Sequence, residues 1–229
     1  MRASNHGELG LIVLSSCKEL GRLVDERILQ LRAEEDDDKS YLVPIEEVRF
    51  SNGEGKIKLL DSVRGKDIYI LCDVGNYSCE YTMFGRNHCM GPDEHFQDIK
   101  RVLSAIGGKA DRVTVIMPLL YASRQHKRKG RESLDCAMAL KELENLGVHA
   151  ILTFDVHDPT IHNAIPGTSF ENIFPTYSML KCFIANEGAN IKKDNMTVIS
   201  PDTGAMDRAI YYANTLGVDV GMFYKRRDH

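Results

Sequence analysis

Charged side chains suited to phosphate and metal chemistry follow four successive apolar, strand-like segments. The first group is residues 124–131, which contain five fixed cations within eight residues. The other three groups are short and follow the later segments in order: Asp155 and His157, then Asp202, then Lys225 and Arg227. Cations hold phosphate oxygens and an Asp/His pair can hold a divalent metal, so the four groups together predict a site for phosphoryl transfer.

Each group also has a simpler interpretation. A cationic run such as residues 124–131 is typical of a solvated loop. Asp155 and His157 can form a structural hydrogen-bonded pair, and Asp202 can be the N-cap of the helix that follows it. Their succession at strand ends still favours a common site, because ligands of open α/β sheets bind outside the carboxyl ends of the strands.

The segments that must position these groups alternate between strand and helix patterns. Strands are predicted at residues 9–14, 41–45, 56–60, 68–73, 112–117, 150–154, 196–199 and 220–224. Helices are predicted after a capping box of Ser16 and Glu19, and at 93–106, 134–146, 177–185 and 205–216. The turn residues at 51–55 predict a hairpin loop. Short apolar strands alternating with helices predict an α/β fold of doubly wound parallel sheets.

Composition narrows the classes of function. The 229 residues are 43% hydrophobic and 27% charged, as in a folded globular protein. A net charge of −4 disfavours general nucleic-acid binding, for which the cationic run at 124–131 is only a weak alternative. No apolar run approaches the roughly 18 residues of a membrane span, so no membrane association is predicted.

The N-terminal sequence and the spacing of the cysteines predict a cytoplasmic protein with free thiols. The N-terminus has only five apolar-leaning residues, and the six cysteines include no Cys-x-x-Cys pair. Cys79, His88, Cys89 and His95 stand at irregular intervals, so we predict structural roles for them and no zinc site. Neither a P-loop nor a Gly-x-Gly-x-x-Gly motif is present in the sequence, so phosphates must be held in another way.

The sequence resembles the ribose-phosphate pyrophosphokinases, or phosphoribosyl pyrophosphate synthetases, in six motifs that occur in that family's order. The motifs are Phe-Ser-Asn-Gly-Glu at 50–54, Ser-Val-Arg-Gly-Lys-Asp-Ile-Tyr at 62–69, Tyr-Ala-Ser-Arg-Gln at 121–125, Asp-Val-His at 155–157, Ser-Pro-Asp-Thr-Gly at 200–204 and Lys-Arg-Arg at 225–227. The resemblance implies two similar phosphoribosyltransferase-like domains, residues 1–170 and an incomplete second domain at 171–229. It also implies that the β,γ-diphosphoryl group of ATP passes to the 1-hydroxyl of ribose 5-phosphate, with Mg²⁺, giving phosphoribosyl pyrophosphate and AMP.

The resemblance assigns a role to each candidate residue. ATP binding falls to Phe50, Asn52, Glu54, Arg124 and Gln125, metal binding to His157 and Asp202, and catalysis in a mobile loop to Lys225 and Arg227. The loop at 50–54 is expected to reach across a subunit interface to the adenine of a neighbour's ATP. The resemblance therefore implies a homo-oligomer of the hexamer type.

The sequence departs from the family pattern in several places. Ser123 replaces the usual Ala, Ala205 replaces a Gly, and residues 76–93 are either an insertion or a rewritten stretch. The family pattern continues into an acidic Asp-Asp and a Thr/Gly-rich loop that holds the ribose phosphate, and the 229 residues do not include it. They are therefore interpreted either as part of the enzyme or as a noncatalytic nucleotide-binding regulatory subunit. In both cases we expect these residues alone to bind ATP without forming phosphoribosyl pyrophosphate.

Overall fold

A computed structural model of the chain describes residues 6–32, 39–188, 191–192 and 194–224. The chain divides into two compact units, residues 1–173 and 174–229. The strands of the first unit are β1 (Leu9–Val13), β2 (Ile45–Arg49), β3 (Gly55–Leu59), β4 (Asp67–Leu71), β5 (Glu80–Met83), β6 (Arg86–Cys89), β7 (Arg112–Met117), β8 (Ala150–Phe154) and β9 (Ser169–Ile173). Its helices are α1 (Lys18–Arg32), α2 (Pro92–Ile106) and α3 (Asp135–Asn145).

The first unit is built on a parallel five-stranded sheet in the order β1-β4-β7-β8-β9. Ile12, Ile70, Val115 and Ile151, one from each of the first four strands, are completely buried. Strands buried in this way are near-continuous apolar runs in sequence, which is why they could be predicted. The α/β class with a parallel central sheet is confirmed.

Helices cover both faces of this sheet. Side chains alternate along a strand, so neighbouring residues such as Leu11 and Ile12 pack into different clusters. Helices α2 and α3 pack on the face that carries Ile12, while α1 packs on the face that carries Leu11. Helix α2 ends, as predicted, at Gly107, whose φ of 57° is a left-handed conformation that glycine adopts without steric cost.

The predicted capping box at Ser16 is wrong. Residues Ser15–Cys17 form a short 3-10 turn, and α1 begins only at Lys18. The Ser16 hydroxyl accepts a hydrogen bond of 3.1 Å from the backbone N–H of Asp73, and Glu19 pairs with Arg22. The Ser16 hydroxyl is therefore hydrogen-bonded to a residue that is distant in sequence and does not cap α1.

Two antiparallel hairpins are attached to the first unit. Strands β2 and β3 form a hairpin around the predicted turn, and we call its connection the 50–54 loop. The first strand was wrongly predicted at 41–45: β2 is Ile45–Arg49, and Leu42 instead bridges to Leu11 of β1. Strands β5 and β6 form a second hairpin, which was not predicted, within residues 76–93. All four side chains of β6 are exposed, and β5 alternates over only four residues between exposed and half-buried side chains, so the pattern that identifies a strand in sequence is absent or short.

The second unit contains α4 (Thr176–Glu187), β10 (Thr197–Ser200), α5 (Met206–Leu216) and β11 (Asp219–Met222). Strands β10 and β11 pair in parallel. The boundary between the units follows Ile173, so β9 belongs wholly to the first sheet. That the second unit is an incomplete copy of the first stays a prediction.

Among the helices of the described ranges, none combines the length and the apolar character that crossing a bilayer requires.

Candidate functional site

The carboxyl ends of β7 and β8 carry the first part of the candidate site. These neighbouring strands pair in parallel, with Met117 opposite Thr153, so the loops that follow them leave the same edge of the sheet. Ala122 and Asp155 in these two loops have φ values of 53° and 51°. Non-glycine residues seldom adopt this left-handed conformation, and such residues concentrate at functional sites.

The loop after β7, which we call the cationic loop (residues 124–131), is joined to the loop after β8 through Asp158. Lys127 Nζ lies 2.7 Å from Asp158 Oδ2, and His126 Nε2 lies 3.3 Å from the same oxygen. The ring of His126 also meets the ring of His157 edge to face, with centroids 5.1 Å apart. Three contacts therefore hold the two loops together.

Hydrogen bonds keep Asp158 ionised. The side chain of Lys127 is the main cause, and the hydroxyl and backbone N–H of Thr160 add to it, so the pKa of Asp158 is held well below its ordinary range. The carboxylate also caps the short 3-10 helix Pro159–Ala164, accepting the Thr160 N–H at 2.9 Å. Asp158 was missed by the sequence reasoning, although it directly follows the Asp-Val-His motif.

Of the predicted residues, Arg124, Gln125 and His157 all lie on these two joined loops. All three side chains are exposed and are thus accessible to a ligand. The backbone of Gln125 is fixed on both sides, because its N–H donates to Ala122 O at 2.8 Å and its carbonyl accepts from Cys136 N–H at 3.4 Å. The loops therefore present exposed side chains from a constrained backbone.

The 50–54 loop forms a separate part of the candidate site. Phe50 N–H donates to Glu54 O at 2.8 Å, and Gly53 N–H donates to Phe50 O at 2.9 Å. Asn52 Oδ1 accepts the Glu54 N–H at 3.1 Å, so this side chain helps to shape the loop. The Phe50 ring is 47% exposed. Whether the loop reaches a neighbouring subunit stays a prediction.

Asp202 lies in the second unit, whereas His157 lies in the first. One carboxylate oxygen of Asp202 accepts the Gly204 N–H at 3.0 Å and caps the 3-10 turn Thr203–Ala205, so the N-cap interpretation holds. A carboxylate retains further lone pairs for a metal after accepting one hydrogen bond. Lys225 and Arg227, the predicted catalytic cations, lie outside the described residues.

No three or more His, Cys, Asp or Glu side chains converge on a metal position within the part of the chain that the structure describes. Three of the four residues for which structural roles were predicted have individual partners for their side chains. His95 Nε2 lies 2.8 Å from Asn76 O, His88 Nε2 lies 3.5 Å from Glu94, and the Cys89 thiol contacts Glu80 at 3.6 Å.

Comparisons with known proteins converge on one family. A family model described as the N-terminal domain of ribose phosphate pyrophosphokinase matches residues 9–147. The ribose-phosphate pyrophosphokinase of Ralstonia nicotianae is 28% identical over 185 residues, which are 78% of this chain and 51% of that protein. The enzyme of the same name from Helicobacter pylori strain 26695 is 25% identical over 182 residues, covering 79% and 51%. The chain thus spans about half the length of the curated relatives it matches.

A solved structure shares the fold. The crystal structure of phosphoribosylpyrophosphate synthetase from Mycobacterium smegmatis superposes with a TM-score of 0.74 and covers 96% of this chain and 65% of its own. Sequence identity between the two is 23%. This similarity establishes the shared α/β architecture.

Proposed function

The chain belongs to the ribose-phosphate pyrophosphokinase family, and from this premise we propose that it binds ATP and forms the nucleotide-binding part of a ribose-phosphate diphosphokinase. The proposed reaction transfers the β,γ-diphosphoryl group of ATP to the 1-hydroxyl of ribose 5-phosphate. The products are phosphoribosyl pyrophosphate and AMP.

One observation carries the proposal: Asp158 joins the cationic loop to the loop of His157 at the carboxyl edge of the sheet. Lys127 and His126 both approach this single carboxylate, which fixes the backbone of the cationic loop. Phosphoryl transfer depends mainly on positioning and on fixed positive charge, because the transition state is loose and needs little covalent help. A cationic loop held beside His157 supplies both requirements.

Within this proposal each residue has a separate role in binding or positioning. Arg124 is exposed and would bind phosphate oxygens through its planar fork, while Gln125 would hydrogen-bond the nucleotide. Lys127, whose charge is paired with Asp158, would act by positioning the loop. Lys225 and Arg227, which lie outside the described residues, would keep the catalytic role that the resemblance assigns, since fixed cations stabilise charge on the bridging and leaving oxygens.

The magnesium ion that the resemblance implies would be held largely by the substrate. Mg²⁺ usually takes one or two protein ligands and completes its shell with phosphate oxygens and water. That His157 of the first unit and Asp202 of the second unit are ligands of this kind stays a prediction from the resemblance. When bound, the metal would neutralise charge on the β- and γ-phosphates.

The 50–54 loop would complete the site of a neighbouring copy, so the active form would be a homo-oligomer. A monomeric preparation should then bind ATP far more weakly than the assembled protein, although Arg124 and Gln125 remain intact. Titration of ATP into fractions of known molecular mass checks this. Tight binding by a proven monomer would contradict the shared site.

The second candidate function is a noncatalytic nucleotide-binding subunit. It is favoured by the departures from the family motifs at Ser123 and Ala205 and by the additional β5–β6 hairpin. Such a subunit would use the same ATP contacts and perform no transfer.

AMP release from ATP, measured with and without ribose 5-phosphate, tests the proposal and separates the two candidates. We expect the 229 residues alone to bind ATP and to release no AMP, and we expect pentose-dependent AMP once the Thr/Gly-rich phosphate loop of the family is supplied by fusion. Binding without AMP from the fusion as well would support the noncatalytic subunit. Failure to bind ATP in the presence of Mg²⁺ would overturn both functions.

A further inference from the structure

Three non-glycine residues adopt a positive φ in the described ranges, and two of them lie in the proposed nucleotide site. Ala122 precedes Arg124, and Asp155 precedes His157. The third is Phe84, with a φ of 48°, at the tip of the β5–β6 hairpin. For a bulky residue this conformation is a genuine outlier. The proposed function gives Phe84 no role.

The turn explains the backbone angle of Phe84 but not the identity of the residue. Phe84 and Gly85 connect β5 to β6, with φ values of 48° and 75°. Two-residue hairpin turns that need positive φ at both positions strongly favour Asn-Gly. Phenylalanine in the first position therefore occupies a site where asparagine would be the better residue for folding.

The hairpin tip is docked on the 50–54 loop. Phe84 N–H donates to Ser51 O at 2.9 Å. Met83 packs so closely on Gly53 that a Cβ there would lie 2.8 Å from its sulfur. The Phe84 ring nevertheless remains 75% exposed, and Phe50, one residue before Ser51, is 47% exposed. Two accessible aromatic rings thus stand on hydrogen-bonded neighbouring segments.

The hairpin is also anchored near its base. The Tyr81 hydroxyl donates to the Glu94 carboxylate at the start of α2. The guanidinium of Arg49, at the end of β2, lies 5.4 Å from the centre of the Tyr81 ring. The first contact fixes the β5–β6 hairpin to α2 and the second fixes it to the β2–β3 hairpin, so the position of Phe84 relative to the 50–54 loop is defined.

We propose that Phe84 is a further nucleotide-contacting residue, whose ring stacks on the adenine that the 50–54 loop binds. The inference rests on the proposed function. An aromatic ring held on a constrained backbone is suited to this role, because the π-face of a purine stacks on it without further hydrogen bonds. The additional hairpin would then extend the base-binding surface that begins at Phe50.

Phe84→Asn tests the proposal because it removes the ring while placing the preferred residue in the turn. We expect the melting temperature to be unchanged or higher and the affinity for ATP to fall about tenfold. Affinity for inorganic tripolyphosphate, which has no base, should not change. Phe84→Tyr should retain ATP affinity, and Tyr77→Asn, which removes another exposed ring of the same segment, should have no effect.

The outcomes separate this inference from the function on which it rests. If the wild-type protein binds ATP and Phe84→Asn binds it equally well, the role of Phe84 is overturned and the proposed function stands. Equal weakening of ATP and tripolyphosphate would also overturn it, because the ring would then act on loop position and not on the base. If the wild-type protein does not bind ATP, the proposed function fails and this inference fails with it.

Discussion

The two parts of the candidate site in the first unit are positioned by different kinds of structure. Arg124, Gln125 and His157 follow strands of the parallel sheet, whose central residues are completely buried. The 50–54 loop instead lies at the tip of the β2–β3 hairpin, which packs on the core through Ile57 and on α2 through the Arg49–Asp98 ion pair, while the loop itself contacts the tip of the β5–β6 hairpin. The sheet-borne part should therefore depend directly on the buried strands, whereas the conformation of the 50–54 loop should depend on individual contacts between the two hairpin tips.

The largest effect is expected from the sheet core. Ile151 of β8 is completely buried among other apolar side chains. Ile151→Ala should lower the free energy of unfolding by about 2–5 kcal/mol, because it removes buried methyl groups and leaves a cavity. Urea denaturation followed by circular dichroism measures this loss. A loss below about 1 kcal/mol would mean that the buried strands do not rigidly support the loops of Arg124 and His157.

A smaller effect is expected at the joint between the two sheet-borne loops. Asp158→Ala removes the partner of Lys127 and the N-cap of the 3-10 helix, whereas Asp158→Asn removes the charge and can still cap. The alanine variant should lose about 1 kcal/mol of unfolding free energy, and the asparagine variant should lose less. Both variants should bind ATP more weakly than the wild type. Unfolding and ATP titrations on the two variants check this. Unchanged ATP affinity in both would show that Asp158 does not position the cationic loop.

The same joint predicts the direction of a pH effect. The pKa of Asp158 is lowered in the folded protein by its hydrogen bonds from Lys127 and Thr160, so its ionised form stabilises the fold above the unfolded pKa of about 3.9. The advantage of the wild type over Asp158→Asn should be full at neutral pH, begin to shrink as the pH falls below about 4, and disappear only as the pH approaches the lowered pKa of the folded protein. An advantage that grows on acidification would contradict the assigned ionisation.

The smallest effect is expected from the hairpin anchor. Tyr81→Phe keeps the ring beside Arg49 and removes only the hydroxyl that donates to Glu94. We expect a loss of about 0.5–1.5 kcal/mol and faster hydrogen exchange at the backbone amides of Phe50 and Gly53. Amides of β7 and β8 should exchange at wild-type rates. Faster exchange in those strands would show that the two regions are coupled.

The sequence predicted the sheet-borne region well because its signals are local. Apolar runs identified β7 and β8 with their observed bounds, and the residues that follow a buried parallel strand necessarily lie at the carboxyl edge. The resemblance to a known family then assigned chemistry to Arg124 and His157. What was missed depends on contacts between distant residues: the pairing of Lys127 with Asp158 requires both loops to be folded.

The hairpin region was harder to predict for a physical reason. Strands β5 and β6 are largely exposed, and their Phe-Gly turn is not the Asn-Gly pair that identifies a two-residue hairpin. Similarly, the hydroxyl of Ser16 bonds to Asp73 rather than capping α1, a choice that only the assembled sheet determines. Local patterns thus predicted the four sheet strands that contain completely buried residues, and missed the half-exposed edge strand β9 and the exposed β5–β6 hairpin.

The most direct test of the central claim is calorimetric titration of ATP with Mg²⁺ into the 229-residue protein and into two arginine variants. Arg124→Ala removes the exposed cation proposed to bind the phosphates, and Arg27→Ala removes an exposed cation of α1 as a matched control. The account predicts that wild type and Arg27→Ala bind ATP equally, while Arg124→Ala binds at least about tenfold more weakly, with all three melting at similar temperatures. Equal ATP binding by Arg124→Ala, or no binding by the wild type, would contradict a nucleotide site at the carboxyl edge of the sheet.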